Sequence, residues 1–102
     1  MFMAFETPEV LAAPERLVTD TRLGFRRAAL EHVERAAQDS VPRIFVDLGA
    51  TRDIDASGLG VLVLLQKRAR ERMIATRLLN AGPTVRQMLV LTKLDYLFEL
   101  ED

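Results

Sequence analysis

Residues 53–60 read Asp-Ile-Asp-Ala-Ser-Gly-Leu-Gly, placing two carboxylates, one hydroxyl and two glycines within eight positions. A serine at the start of a helix lies at the positive end of the helix dipole. Free backbone N–H groups there can receive phosphate oxygens. Ser57 therefore stands in a favourable place for a phosphate. Asp53 and Asp55 would repel the same phosphate, whose charge is about −1.5 to −2. A modification of that size beside existing carboxylates changes the local potential sharply, which suits a binary switch at a protein interface. The two glycines point the same way. Each costs roughly 0.8–1 kcal/mol relative to Ala inside a helix, so Gly58 and Gly60 predict a close approach to the backbone.

Each of these residues also has a plainer use. Asp55 or Ser57 can cap the helix, because a side-chain oxygen there satisfies a free N–H. Gly58 and Gly60 can mark places where no Cβ fits against neighbouring backbone. A serine hydrolase reading has thin support. Its nucleophile needs a positioned base, and the only histidine, His32, falls between Glu31 and Glu34 on a helix and is expected to face solvent. The Gly-x-Ser-x-Gly elbow is also absent. Gly58-Leu59-Gly60 falls short of a dinucleotide fingerprint, because Val63 stands where the third glycine belongs. The Gly-Lys-Ser/Thr of a P-loop is missing as well. A divalent ion on Asp53 and Asp55 lacks further oxygen ligands at an obvious spacing. No cofactor and no metal are expected, and the chain is expected not to be an enzyme.

The elements that must position this loop follow from periodicity and punctuation. Met1 to Phe5 and Val10 to Ala13 are strand-like, closed by Pro8 and Pro14. Thr21 to Gln38 is helical, capped by Thr19 or Asp20, with Leu23, Leu30, Val33 and Ala37 as its apolar stripe. Arg43 to Leu48 (RIFVDL) reads as a short buried strand. Ser57 to Met73 forms a second helix burying Leu62, Leu65 and Ala69, with Gln66, Lys67, Arg68, Arg70, Glu71 and Arg72 as a solvated face. Ile74 to Asn80 (IATRLLN) is a further strand, ended by the Gly82–Pro83 turn. Thr84 caps a third helix, Val85 to Thr92, burying Val85, Met88 and Leu89. Tyr96 to Leu100 is a short apolar packing plug. The alternation predicts an α/β sandwich in which RIFVDL and IATRLLN are parallel. In that geometry the loop after RIFVDL opens at the carboxyl edge of the sheet, where ligands and phosphates bind.

Composition narrows the function. The chain has 102 residues, 49% of them hydrophobic, which predicts one domain spanning residues 1–102. Fourteen Lys and Arg stand against fifteen Asp and Glu, so no long-range field draws nucleic acid. There is no cysteine, hence no disulfide, thiol nucleophile or Cys-ligated metal. The longest apolar run, Leu59 to Leu65, is far shorter than the roughly 20 residues a membrane helix needs. Met1 to Phe5 is too short for a secretory core and lacks a basic lead. A cytoplasmic protein without membrane insertion is expected.

Taken together, these pieces resemble a known family. Arg43 to Phe98 is similar to STAS domains, the family of bacterial anti-sigma factor antagonists and related modules. The likeness lies in RIFVDL, in DIDASGLGVL at residues 53–62, and in the basic second helix. It continues through RLLN at residues 77–80, VRQML at residues 85–89 and LDYLF at residues 94–98. The resemblance implies a mixed, mostly parallel β-sheet of about four strands flanked by three to four helices. It implies Ser57 as the phosphoacceptor and Asp55 as the acidic residue supporting phosphorylation or partner contact. The partner-binding stretch would be Asp53, Asp55, Ala56, Ser57, Gly58, Leu59 and Gly60. The implied partner is an anti-sigma factor that is also a serine kinase. The unphosphorylated antagonist binds it and frees the sigma factor, and a serine phosphatase restores that form. The alternative within the same resemblance is an accessory subunit of a lipid transporter or signalling assembly, with Ser57 unmodified. Three departures stand out. Ala56 replaces a second serine common in antagonists, Lys93 replaces a glycine after the third helix, and the segment before the first helix is short. A missing opening strand would leave a sheet edge open to homodimerisation.

Overall fold

A computed structural model of the chain describes residues 10–101, and the strand expected at Met1 to Phe5 lies outside them. The elements in order are β1 (Val10–Ala12), β2 (Arg16–Leu17), α1 (Arg22–Gln38), β3 (Arg43–Asp47), β4 (Asp53–Ile54) and α2 (Ala56–Glu71). Then come β5 (Ala75–Leu79), α3 (Pro83–Leu91), a 3-10 turn (Asp95–Leu97) and β6 (Glu99–Glu101). The main sheet has the order β1-β3-β5-β6, and every pairing among the described residues is parallel. A helix therefore crosses between each successive pair, as parallel strands require. Among the described residues this is the expected α/β sandwich, with four strands in the main sheet and three α-helices.

Alternation along the strands decides which face is covered. Ile44 and Val46 of β3 and Leu78 of β5 are buried, whereas Arg43, Phe45, Asp47 and Arg77 are only half-buried. Helices α1 and α2 pack on each other and on β3 and β5. The core is built from Leu17, Val33, Ile44, Val46, Leu48, Leu62, Leu65, Leu78, Val85 and Leu89, all essentially inaccessible. Burying each such side chain contributes about 1.5–3 kcal/mol.

Helix α2 buries Leu62, Leu65 and Ala69 as expected, but Gln66 joins them instead of facing water. Gln66 lies seven residues after the buried Leu59, which returns it to the same side of the helix. The same spacing corrects α1. Its buried face is Phe25, Ala29, His32, Val33 and Ala36, so His32 is buried at 4% exposure rather than solvent-facing. His32 follows Phe25 by seven residues, and packing of Phe25 sets the inward direction. Leu23, expected in the stripe, is 63% exposed because it stands about 200° round the helix from Phe25.

The helix ends differ from expectation at the caps. The N-cap of α1 is Thr21, not Thr19 or Asp20. Helix α3 begins earlier than expected, with Gly82 as N-cap and Pro83 in the first turn, so Thr84 is not the cap. Pro is preorganised for that position, where no N–H is needed. All three helices end in a left-handed residue that is not glycine: Ser40 (φ 56°), Met73 (φ 62°) and Lys93 (φ 60°). The next N–H in each case reaches back to the helix, Val41 to Ala36, Ile74 to Ala69 and Leu94 to Leu89. Each is a Schellman closure whose following residue is apolar.

Two features were not anticipated. The tail expected as a plug extends into strand β6, paired with β5 in the register Arg77 to Glu99 and Leu78 to Leu100, while Phe98 is buried. Arg43 and Glu99 lock this edge through two hydrogen bonds of 2.6 and 3.1 Å. The second feature is a separate parallel pair, β2 with β4, which places Asp53 and Ile54 in a strand where a loop was expected.

Candidate functional site: a hydroxyl pair at the start of the second helix

The site is assembled where the β2–β4 pair hands the chain to α2. Beyond the end of β3, the Thr51 hydroxyl donates to the Pro14 carbonyl at 2.8 Å. The Arg52 and Asp53 N–H groups reach the Glu15 carbonyl at 2.8 and 3.3 Å. Pairing of β4 with β2 then aligns Arg16 with Asp53 and Leu17 with Ile54. Leu17 and Ile54 turn into the core, so Arg16 and Asp53 turn outward, where they form an exposed ion pair at 3.5 Å. Asp53 is thus engaged by Arg16, and Asp55 alone of the two acids is bonded into the cluster around Ser57.

Asp55 is the N-cap of α2. Its Oδ1 accepts the Gly58 N–H at 3.0 Å, and its Oδ2 accepts the Thr19 N–H at 3.1 Å and the Thr19 hydroxyl at 3.3 Å. Of the two capping readings left open, the carboxylate is the cap and the Ser57 hydroxyl is left for other contacts. The Gly58 N–H is the main reason the Asp55 carboxyl is held below its ordinary value, with the Thr19 N–H and hydroxyl adding to it and partial desolvation opposing. The cap is consequently an anion at neutral pH.

Ser57 is the second residue of α2 and half-buried, with its Oγ 3.0 Å from the Thr19 Oγ1. Ala56 and Gly60 are exposed, whereas Gly58 and Leu59 are buried. The Leu59 side chain, within the expected contact stretch, belongs to the core. The glycines divide in the same way. A Cβ on Gly58 would stand 1.9 Å from the Leu17 carbonyl oxygen, so the close approach predicted there comes from the chain's own strand β2. A Cβ on Gly60 would meet nothing within 4 Å. Among the described residues, nothing explains that second glycine.

Thr19 was expected as a helix cap and is instead a member of this cluster. Its partners are 36 and 38 residues away, and no local pattern announces such a contact. Among the described residues, no group of three or more His, Cys, Asp or Glu could hold a metal ion, and no helix is long and apolar enough to cross a membrane. The half-buried Ser57, beside its capping acid, can present its hydroxyl to another protein.

Comparison with known proteins bears on the fold and the family. No curated protein matches the sequence. Among solved structures, a Thermotoga maritima protein, a candidate anti-sigma factor antagonist, superposes with a TM-score of 0.78 at 22% identity over 91% of this chain and 77% of its own. A STAS domain protein from Planctomyces limnophilus gives 0.78 at 21% identity over 92% and 85%. The Bacillus anti-sigma factor antagonist SpoIIAA gives 0.68 unphosphorylated, at 20% identity over 99% and 84%, and 0.64 phosphorylated, at 20% over 91% and 81%. At these identities the likeness is one of fold. The family model for the STAS domain matches residues 11–102, nearly the whole chain, and with the fold it shows that this protein belongs to the STAS domain family.

Proposed function

We propose that the protein is an anti-sigma factor antagonist that acts by being bound, with Ser57 as its phosphorylatable contact. The observation that carries this reading is the half-buried Ser57 hydroxyl in the first turn of α2, next to the ionised cap Asp55. In the unphosphorylated state the surface formed by Asp53, Asp55, Ala56, Ser57 and Gly60 docks onto an anti-sigma factor with serine kinase activity. Gly58 and Leu59 hold that surface from beneath. Docking sequesters the anti-sigma factor in the cytoplasm and allows transcription that depends on the sigma factor.

The switch is electrostatic. In phosphoryl transfer, Ser57 Oγ forms a bond to the γ-phosphorus of ATP and the bond from that phosphorus to the departing ADP breaks. The serine proton passes to a base of the kinase. The product carries about −1.5 to −2 charge beside the Asp55 carboxylate, which repels the surface that had been bound. A serine phosphatase returns the hydroxyl by hydrolysis and releases inorganic phosphate.

Affinity capture from the source cell, followed by incubation of the protein with the captured kinase and ATP, tests this. The expected result is one added phosphate by intact mass, mapped to Ser57, and loss of the complex. Capture of a transporter ATPase with Ser57 unmodified, or phosphate mapped to another residue, would sink the proposal.

A further inference from the structure

Ser57 is held in place by a residue far from it in sequence. Thr19, in the exposed turn between β2 and α1, gives its N–H to Asp55 Oδ2 at 3.1 Å and its hydroxyl to the same oxygen at 3.3 Å. The same Thr19 Oγ1 lies 3.0 Å from Ser57 Oγ. One hydroxyl has one proton to give. Hydrogen bonds to a carboxylate are roughly twice as strong as those between neutral groups, so in the resting protein the Thr19 proton goes to Asp55. The free lone pair of Thr19 Oγ1 then accepts the Ser57 proton. This turns the lone pairs of Ser57 Oγ away from Thr19.

We propose that Thr19 is a positioning residue of the switch, holding Ser57 Oγ in a single orientation and tying it to Asp55. The inference rests on the reading of Ser57 as the phosphoacceptor. Either hydroxyl can donate across the 3.0 Å contact. When the Ser57 proton turns to the base of the kinase, Thr19 can turn its own proton onto Ser57 Oγ, while Asp55 keeps the Thr19 N–H. The nucleophilic oxygen stays in place as the bond to the γ-phosphorus forms, ADP leaves and the proton departs on the kinase base. Holding a reacting atom near its attack position lowers the barrier rather than tightening binding, so the effect belongs in kcat and not in KM.

Two variants of the full chain test this. Thr19→Val keeps the β-branched shape and the backbone N–H but removes the hydroxyl, and Thr19→Ser restores a hydroxyl. Three-bond couplings of the Ser57 side chain, measured by NMR on the protein alone, should report one rotamer in the parent and in Thr19→Ser. Thr19→Val should show averaged values. The Asp55 carboxyl carbon should titrate at higher pH in Thr19→Val and return in Thr19→Ser. With the captured kinase and ATP, Thr19→Val should lose about tenfold in kcat, the rate equivalent of one ordinary hydrogen bond, with KM changed by less than about twofold. Averaged couplings in the parent, or equal kcat in parent and Thr19→Val, would overturn the inference. A parent that takes no phosphate overturns the phosphoacceptor reading and the transfer step with it. The coupling measurement then still decides whether Thr19 holds Ser57.

Discussion

The Gly58 backbone of α2 lies against the Leu17 carbonyl of β2, so closely that a Cβ at Gly58 would stand 1.9 Å from that oxygen. The start of the second helix is therefore seated on the β2–β4 pair, and Asp55, Ser57 and Thr19 inherit their places from it. Gly60, two residues on, touches nothing at its missing Cβ.

These two glycines should respond oppositely to alanine. Gly58→Ala forces β2 and α2 apart and should destabilise by about 2–4 kcal/mol, the range of serious core disruption. Gly60→Ala should stabilise by about 0.5–1 kcal/mol through helix propensity alone. If Gly60 meets the partner's backbone, the same change should weaken binding. Chemical denaturation measures the first two, and a gain in stability without loss of affinity would remove Gly60 from the contact surface.

Removing the Ser57 hydroxyl should leave the fold standing. Ser57→Ala loses one hydrogen bond to Thr19, worth about 0.5–1.5 kcal/mol at most, and should bind the anti-sigma factor without being released by ATP. Ser57→Asp should bind more weakly, since it sets a second carboxylate beside Asp55. Titration calorimetry distinguishes the two variants, and equal affinities would contradict the electrostatic switch.

Acid should loosen the cap. The Asp55 carboxyl has its folded value below the ordinary 3.8, chiefly through the Gly58 N–H, so the folded state binds its proton less readily than the unfolded chain. Its contribution to stability is full above the unfolded value and is lost as pH falls through the folded one. The Glu99 carboxyl is lowered in the same direction, first by its hydrogen bond from Arg43. Stability measured from pH 6 downward should decline below about pH 4 in the parent. It should decline less steeply in Asp55→Asn, and an identical slope would show that the cap carries no charge-dependent stabilisation.

The helix ends offer a stabilised variant. Met73 sits at φ 62° and is 88% exposed, so Met73→Gly should relieve left-handed strain while losing almost no packing, a gain of about 1 kcal/mol. Lys93→Gly should behave alike at φ 60°. Thermal melts check both. A lower melting temperature would mean that these ends are held by their side chains.

Local rules were sufficient for a good part of this protein. Periodicity located all three helices and the central strands β3 and β5 to within one or two residues, because Leu62, Leu65, Ala69, Val85 and Leu89 repeat at helical spacing and buried β-strands tolerate little besides apolar runs. The placing of Asp55, Ser57, Gly58 and Gly60 at the head of α2 was legible too, since caps, glycines and a dipole end are local matters. What could not be read lies where separate segments meet. His32 and Gln66 are polar by type and buried by position, because Phe25 and Leu59 orient their helices. The strand β6 depends on an open edge of β5, and the β2–β4 pair on two segments of two residues each, too short to have a pattern. Thr19 reaches Ser57 only because that pair brings the two turns together. Amino-acid order alone determined which residues could cap, bend or carry a phosphate. Which of them touch was decided by the folded chain, since hydrogen bonds across 38 residues follow from packing and not from local preference.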